Sequence, residues 1–314
     1  MLSIESAKNQ EDLFQIKAAI MRQKLKDIGG RKGVVEILAL ALDSHHHRNF
    51  QKSLKILEPL INVIKDHPFE SSDSVDYVSI SDEMEWALHH NFFQKPPKQV
   101  RNVSDICPIE HIWRQYGLSA LEEGDLDKAR DATLKTIQWN PASAKYRLML
   151  AMTHCDEGAL EKILEDVLPA MKFVYKPGDL VCCFRFLRDY YLNKKMYKES
   201  LYCSALRSRF TTSDSDLKDI VDDMLAFINV AKFDCDKLTN EDLAETCQKC
   251  GFTPGFNPEV LAVAQRCYQE SFLAGDSIRA AYFAKIMADF KTVQEKRDAV
   301  NLRQLLERSR NIVS

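Results

Sequence analysis

The chain has 314 residues, 45% hydrophobic and 28% charged, enough apolar content for two ordinary domains or one extended repeat array. Its net charge of −3 provides no global basic field, which argues against nucleic acid or an anionic membrane surface as partner. No stretch approaches the ~18 apolar residues of a membrane span, and MLSIESAKNQEDLFQ lacks the pattern of a secretion signal. A cytoplasmic protein with reduced thiols is therefore expected. With only 10 Gly and 10 Pro, the chain reads as long helices joined by short turns.

Residues 1–33 are predicted to form an N-terminal helix that breaks at Gly29-Gly30-Arg31-Lys32-Gly33. This run follows no strand and lacks the spacing of a phosphate-binding loop. Residues 34–68 read as a helix pair, with Ser53 as a small residue in the second helix and Leu57 and Leu60 behind it. His45-His46-His47 falls at the intervening turn. Adjacent histidines on a helix point in different directions, so a solvated turn is expected rather than a metal site. Residues 69–109 read as an irregular insertion with one short helix, Asp82 to Phe93, in which Trp86, Phe92 and Phe93 require burial. His89-His90 reads as solvated. Glu85 and His89 stand at i,i+4 spacing without a second ligand pair.

Residues 110–210 read as further helix pairs, the clearest at 110–143. There, Trp113, Tyr116, Gly117 and Ala120 share one side of a first helix. Glu123-Gly124-Asp125 is the turn, Leu126 to Trp139 the second helix, and Asn140-Pro141 the stop. The segment resembles a tetratricopeptide repeat, with Trp113, Gly117, Ala129 and Pro141 at the family's Trp, Gly, small-residue and closing-proline positions. G124-D-L-D-K-A129 reappears as G275-D-S-I-R-A280, and N49-F-Q-K-S53 and K195-M-Y-K-E-S200 follow the same design. Units are thus placed near 34, 110, 181 and 261. A degenerate unit near 144 is expected to be broken by Pro169 and Pro177. Residues 211–258 read as an acidic helical segment, with helices at about Asp214–Ala231 and Asn240–Lys249. Residues 259–314 read as a last unit and a capping helix at about Lys291–Ser309.

The resemblance implies an all-α solenoid of antiparallel helix hairpins forming a right-handed superhelix, whose concave face is lined by first helices. Carried over residue by residue, the groove-facing candidates are His111, Arg114, Leu118 and Glu122, then Lys145, Leu148 and Met152, then Arg185, Asp189 and Asn193. The family's carboxylate-clamp subset requires Lys and Asn at set positions, where this chain has Arg114 and Leu118. Capture of a chaperone's C-terminal tail is not expected.

Candidate chemistry is sparse. Cys247-Gln-Lys-Cys250 lacks the second knuckle of a zinc site, and Gly251 marks it as the last turn of a helix. Residues 175–209 hold eight Lys/Arg against three Asp/Glu, and residues 211–250 ten Asp/Glu against four Lys, a pattern that suits solvated helix faces first, and otherwise pairing between helices or the two ends of a groove for a charged partner. The expected function is a non-catalytic interaction scaffold, without cofactor, that holds a peptide or helix of a partner protein or associates with itself. The alternatives are a peptide-sensing regulatory module and a helical enzyme or metalloprotein using the Cys/His set.

Overall fold

The computed structural model describes residues 9–94, 98–155, 158–211, 218–221, 224–226 and 239–299. The chain is mostly helical and divides into two compact units, residues 1–142 and 143–314. The first contains α1 (Gln10–Leu25), a 3-10 turn (Lys26–Ile28), α2 (Gly30–His46), α3 (Phe50–Lys65), β1 (Val75–Val78), α4 (Glu83–Phe92), β2 (Gln99–Asn102), α5 (Ile109–Glu122) and α6 (Leu126–Trp139). The second contains α7 (Ala144–Cys155), α8 (Leu160–Met171), α9 (Pro177–Asn193), α10 (Tyr197–Phe210), α11 (Asn240–Lys249), α12 (Pro258–Leu273) and α13 (Ser277–Ala299).

Five helix pairs, α2–α3, α5–α6, α7–α8, α9–α10 and α12–α13, are closed by one turn design. Each turn holds a residue in the left-handed conformation: Arg48 (φ 57°), Gly124 (86°), Gly158 (65°), Lys195 (58°) and Gly275 (73°). The next N–H then reaches back to a carbonyl of the first helix. Asn49 donates to Ser44 at 2.9 Å, Asp125 to Ala120 at 2.9 Å, Ala159 to His154 at 3.2 Å, Met196 to Tyr191 at 2.9 Å and Asp276 to Ser271 at 2.9 Å. This is the bond that satisfies an orphan carbonyl at a helix end. Counting forward equally from each turn reaches Ser53, Ala129, Ile163, Ser200 and Ala280, all buried. At two of them the hydroxyl bonds the first helix directly, Ser53 to the Ala41 carbonyl (2.9 Å) and Ser200 to that of Arg188 (3.1 Å). Ile163, the one bulky residue at this position, explains why the pair at 144 was the least regular in sequence.

Left-handed φ is costly for a side chain with a Cβ. Lys195→Gly is therefore expected to stabilise the second unit by about 1 kcal/mol, read as a rise in the urea midpoint. A midpoint that falls would contradict the turn.

Several expectations are corrected. Pro169 and Pro177 do not break the pair at 144. Pro169 lies in the last turn of α8, and Pro177 opens α9, where its missing N–H has no helical partner to lose. Residues 69–109 are not merely irregular: β1 and β2 pair in parallel, Val75 opposite Gln99 through Val78 opposite Asn102, with α4 between them in sequence. No new helix begins at Lys291, since α13 runs through it; residues 300–309 lie outside the described residues. Most of the expected helix at 214–231 also lies outside them, although 218–221 and 224–226 are helical. Trp86, Phe92 and Phe93 are only partly buried, whereas His89, expected in solvent, is buried, its ring stacked beside Trp86 and Phe93.

The strand pair is fastened to α5 and α6 by a buried polar cluster. Asn140 Nδ2 donates to Glu85 Oε2 (2.7 Å) and Glu110 Oε2 (3.0 Å), the Ser81 N–H donates to Glu110 Oε1 (3.0 Å), and the Ser79 N–H donates to the Trp139 carbonyl (3.0 Å). Burial, and then the neighbouring Glu85 carboxylate, push Glu110 up to about 8, so it holds its proton at neutral pH. A folded value above the ordinary 4.5 means that stabilisation is present below 4.5 and is lost as pH rises towards 8. His89, lowered to about 4 chiefly by burial, acts oppositely, but only below its ordinary 6.5. Between about pH 6.5 and 8 the thermal midpoint of the wild type should therefore fall relative to that of Glu110→Gln. Parallel curves across that window would contradict a protonated Glu110.

Candidate functional site

A surface concavity of the first unit lies between α2 and α5. Two adjoining hollows of about 510 and 250 Å³ share Leu38 and His111. One wall is α2. Val35, Leu38, Ala39 and Leu42 follow one another at i, i+3, i+4 and i+7, the spacing of a single helical face, and none is buried. Val35 is 55% and Leu42 43% exposed, which is unusual for residues aligned in a stripe. The other wall is α5, with His111, Arg114 and Gln115. The wider end is closed by residues around the strand pair, including Ile80, Glu83 and Asn102.

The stripe lies beside the face by which α2 enters the core. Val34 and Ala41 enter the core with Leu57, Leu60, Ile109 and Ile112. The spacing between α2 and α5 is set by Ser119 on α5, whose hydroxyl lies 2.8 Å from Ser53 Oγ on α3 and 3.2 Å from His45 Nδ1 at the end of α2.

The polar groups of the groove divide into engaged and free. Asn102 is engaged by Ile80 and Ser104, its Nδ2 donating to the Ile80 carbonyl (2.7 Å) and its Oδ1 accepting from the Ile80 N–H (3.1 Å) and the Ser104 N–H (3.1 Å). Ser104 Oγ donates to the same carbonyl, and Gln115 Nε2 to Ser119 Oγ. Arg31 pairs with Asp105 at 3.4 Å, and His111 Nε2 stands 3.8 Å from Glu110 Oε1. Arg114 has no hydrogen-bond or ion-pair partner among the described residues, and its Nε is buried.

The ten sequence candidates fare unequally. His111 and Arg114 line the groove together; Leu118 is partly buried further along α5, and Glu122 is exposed near its end. On α7, Lys145 and Met152 are exposed, but Leu148 is buried, because α7 packs on both α8 and α9 and most of its circumference is covered. On α9, Arg185 is exposed, Asp189 is partly buried and paired with Arg188, and Asn193 is exposed with its Nδ2 on the Asp189 carbonyl. Sequence reasoning missed the α2 wall. Val35, Leu38 and Leu42 stand at the same distance before Ser53 as His111, Arg114 and Leu118 before Ala129, so the signal was present.

Three of the buried thiols are held protonated. Burial raises Cys107 to about 12 and Cys183 and Cys203 well above their ordinary value, which suppresses the nucleophilic thiolate. Cys247 and Cys250 end α11, and Gly251, at φ 78°, lets the Phe252 N–H reach the Cys247 carbonyl (3.1 Å). Cys235 lies outside the described residues. Among the described residues, no three His, Cys, Asp or Glu side chains gather as metal ligands. One pair drawn from the basic and acidic stretches is in contact, Lys198 of α10 with Asp242 of α11 at 2.7 Å. In the second unit a hollow of about 330 Å³ beside Gly251 is lined by Gln248, Thr253 and Asn257, the last with its Nδ2 on the Lys172 carbonyl. No described helix is long and apolar enough to cross a membrane. In comparisons with family models and with curated proteins, nothing matches the chain.

Proposed function

We propose that this chain is a non-catalytic cytoplasmic scaffold of tetratricopeptide-like hairpins, wound as a right-handed solenoid, that holds a segment of a partner protein between first helices. The observation that carries the reading is the α2–α5 groove, with an apolar stripe on one wall and an unpaired guanidinium on the other. Apolar area left in a concave, polar-rimmed site favours a macromolecular occupant over a small reactive substrate. The five identical turns support the repeat reading, because one turn closing successive pairs at constant register is how a repeat array is built.

The test is affinity capture from lysate of the source cells, with wild type beside Leu38→Asp/Arg114→Glu, both verified as folded by circular dichroism. The expected result is a protein captured by wild type, lost by the variant and cross-linked to α2 or α5. Partners retained equally by both would contradict the groove as the binding surface.

A further inference from the structure

We propose that the occupant of the α2–α5 groove is an amphipathic α-helix with an apolar stripe and an acidic flank, rather than an extended peptide. This inference rests on the proposed scaffold function and specifies the class of partner. Its first argument concerns backbone hydrogen bonds. An extended segment buries unpaired N–H and C=O groups, and a groove that takes one must offer side-chain donors and acceptors to its backbone. Here the amide and hydroxyl groups of the walls turn onto the protein's own atoms: Asn102 bonds both polar groups of Ile80, Ser104 Oγ donates to the same carbonyl, and Gln115 Nε2 donates to Ser119. A helix satisfies its own backbone and asks only for a surface.

The second argument is shape. Val35, Leu38, Ala39 and Leu42 form a ridge along α2, and the small Ala39 leaves a dip beside Leu38 and Leu42. A helix with apolar residues at i, i+3, i+4 and i+7 packs such a ridge into its own groove. The third argument is charge. Arg31 is balanced by Asp105, but Arg114 faces the narrow hollow without an anion. The narrow hollow is lined by no acidic residue. A carboxylate on the flank of the incoming helix pairs with Arg114 and fixes its orientation along the ridge.

The experiment uses the full chain as bait for a display library of random peptides of about 16 residues, long enough for four helical turns. Clones are kept only when they are enriched on wild type and not on Leu38→Asp. The result expected is a set with apolar residues at i, i+3, i+4 and i+7 and Asp or Glu beside them. Synthetic versions should gain helicity on binding and weaken tenfold or more against Arg114→Glu, and a Lys-for-Glu exchange in the peptide should recover part of that loss. Groove-dependent clones that are rich in proline or alternate with period two would overturn the helix while leaving the scaffold reading intact. The absence of any groove-dependent clone would sink both.

Discussion

Two serine hydroxyls hold the first unit's groove in its shape. Ser53 donates to the Ala41 carbonyl, so its oxygen remains to accept from Ser119, and Ser119 in turn accepts from His45 Nδ1 and Gln115 Nε2. The bonds run one way, from α2 and α5 through α3 and back to α2. A hydroxyl at each position lets three helices approach more closely than larger side chains would allow, and leaves no buried donor unmatched. The assignment also fixes His45 as the tautomer protonated at Nδ1, consistent with a value that burial holds below the ordinary one.

What the serines bring together, the turns repeat. The left-handed residue sets where each second helix starts, and the start sets which residue meets the first helix. Ser53, Ala129, Ser200 and Ala280 are small because a fixed turn delivers them to the same close contact. Arg48 and Lys195 show that the turn tolerates a side chain where glycine would be more comfortable, so the geometry is imposed by the pair and not only by the turn residue. The second polar cluster, Glu85–Asn140–Glu110, then fixes the segment after β1 against α5 and α6, and Ile80 and Ser81 of that segment line the wide end of the groove.

Much of this was legible in sequence, because helix pairs are local. The turn at Gly124, the small residue at Ala129 and the stop at Asn140 lie within one short stretch, and Gly251 ended its helix as its position implied. The strands were not legible. Each has four residues, and their ladder joins segments on either side of α4, so pairing rather than propensity decides them. Leu148 was misplaced because helical phase alone does not say how many neighbours a helix has. The α2 wall was overlooked for the opposite reason. An apolar stripe usually marks a buried face, and only the structure distinguishes this one, which stays open while Val34 and Ala41 form the core beside it.

The central claim is that Ser53 and Ser119 hold α2, α3 and α5 at the distance that creates the groove. A double-mutant cycle with Ser53→Ala, Ser119→Ala and the pair, read by urea unfolding, tests it without overpacking the site. The account predicts a coupling of about 1 kcal/mol between the two positions. Effects that simply add would mean that the hydroxyls do not meet, and would contradict the geometry on which the groove depends.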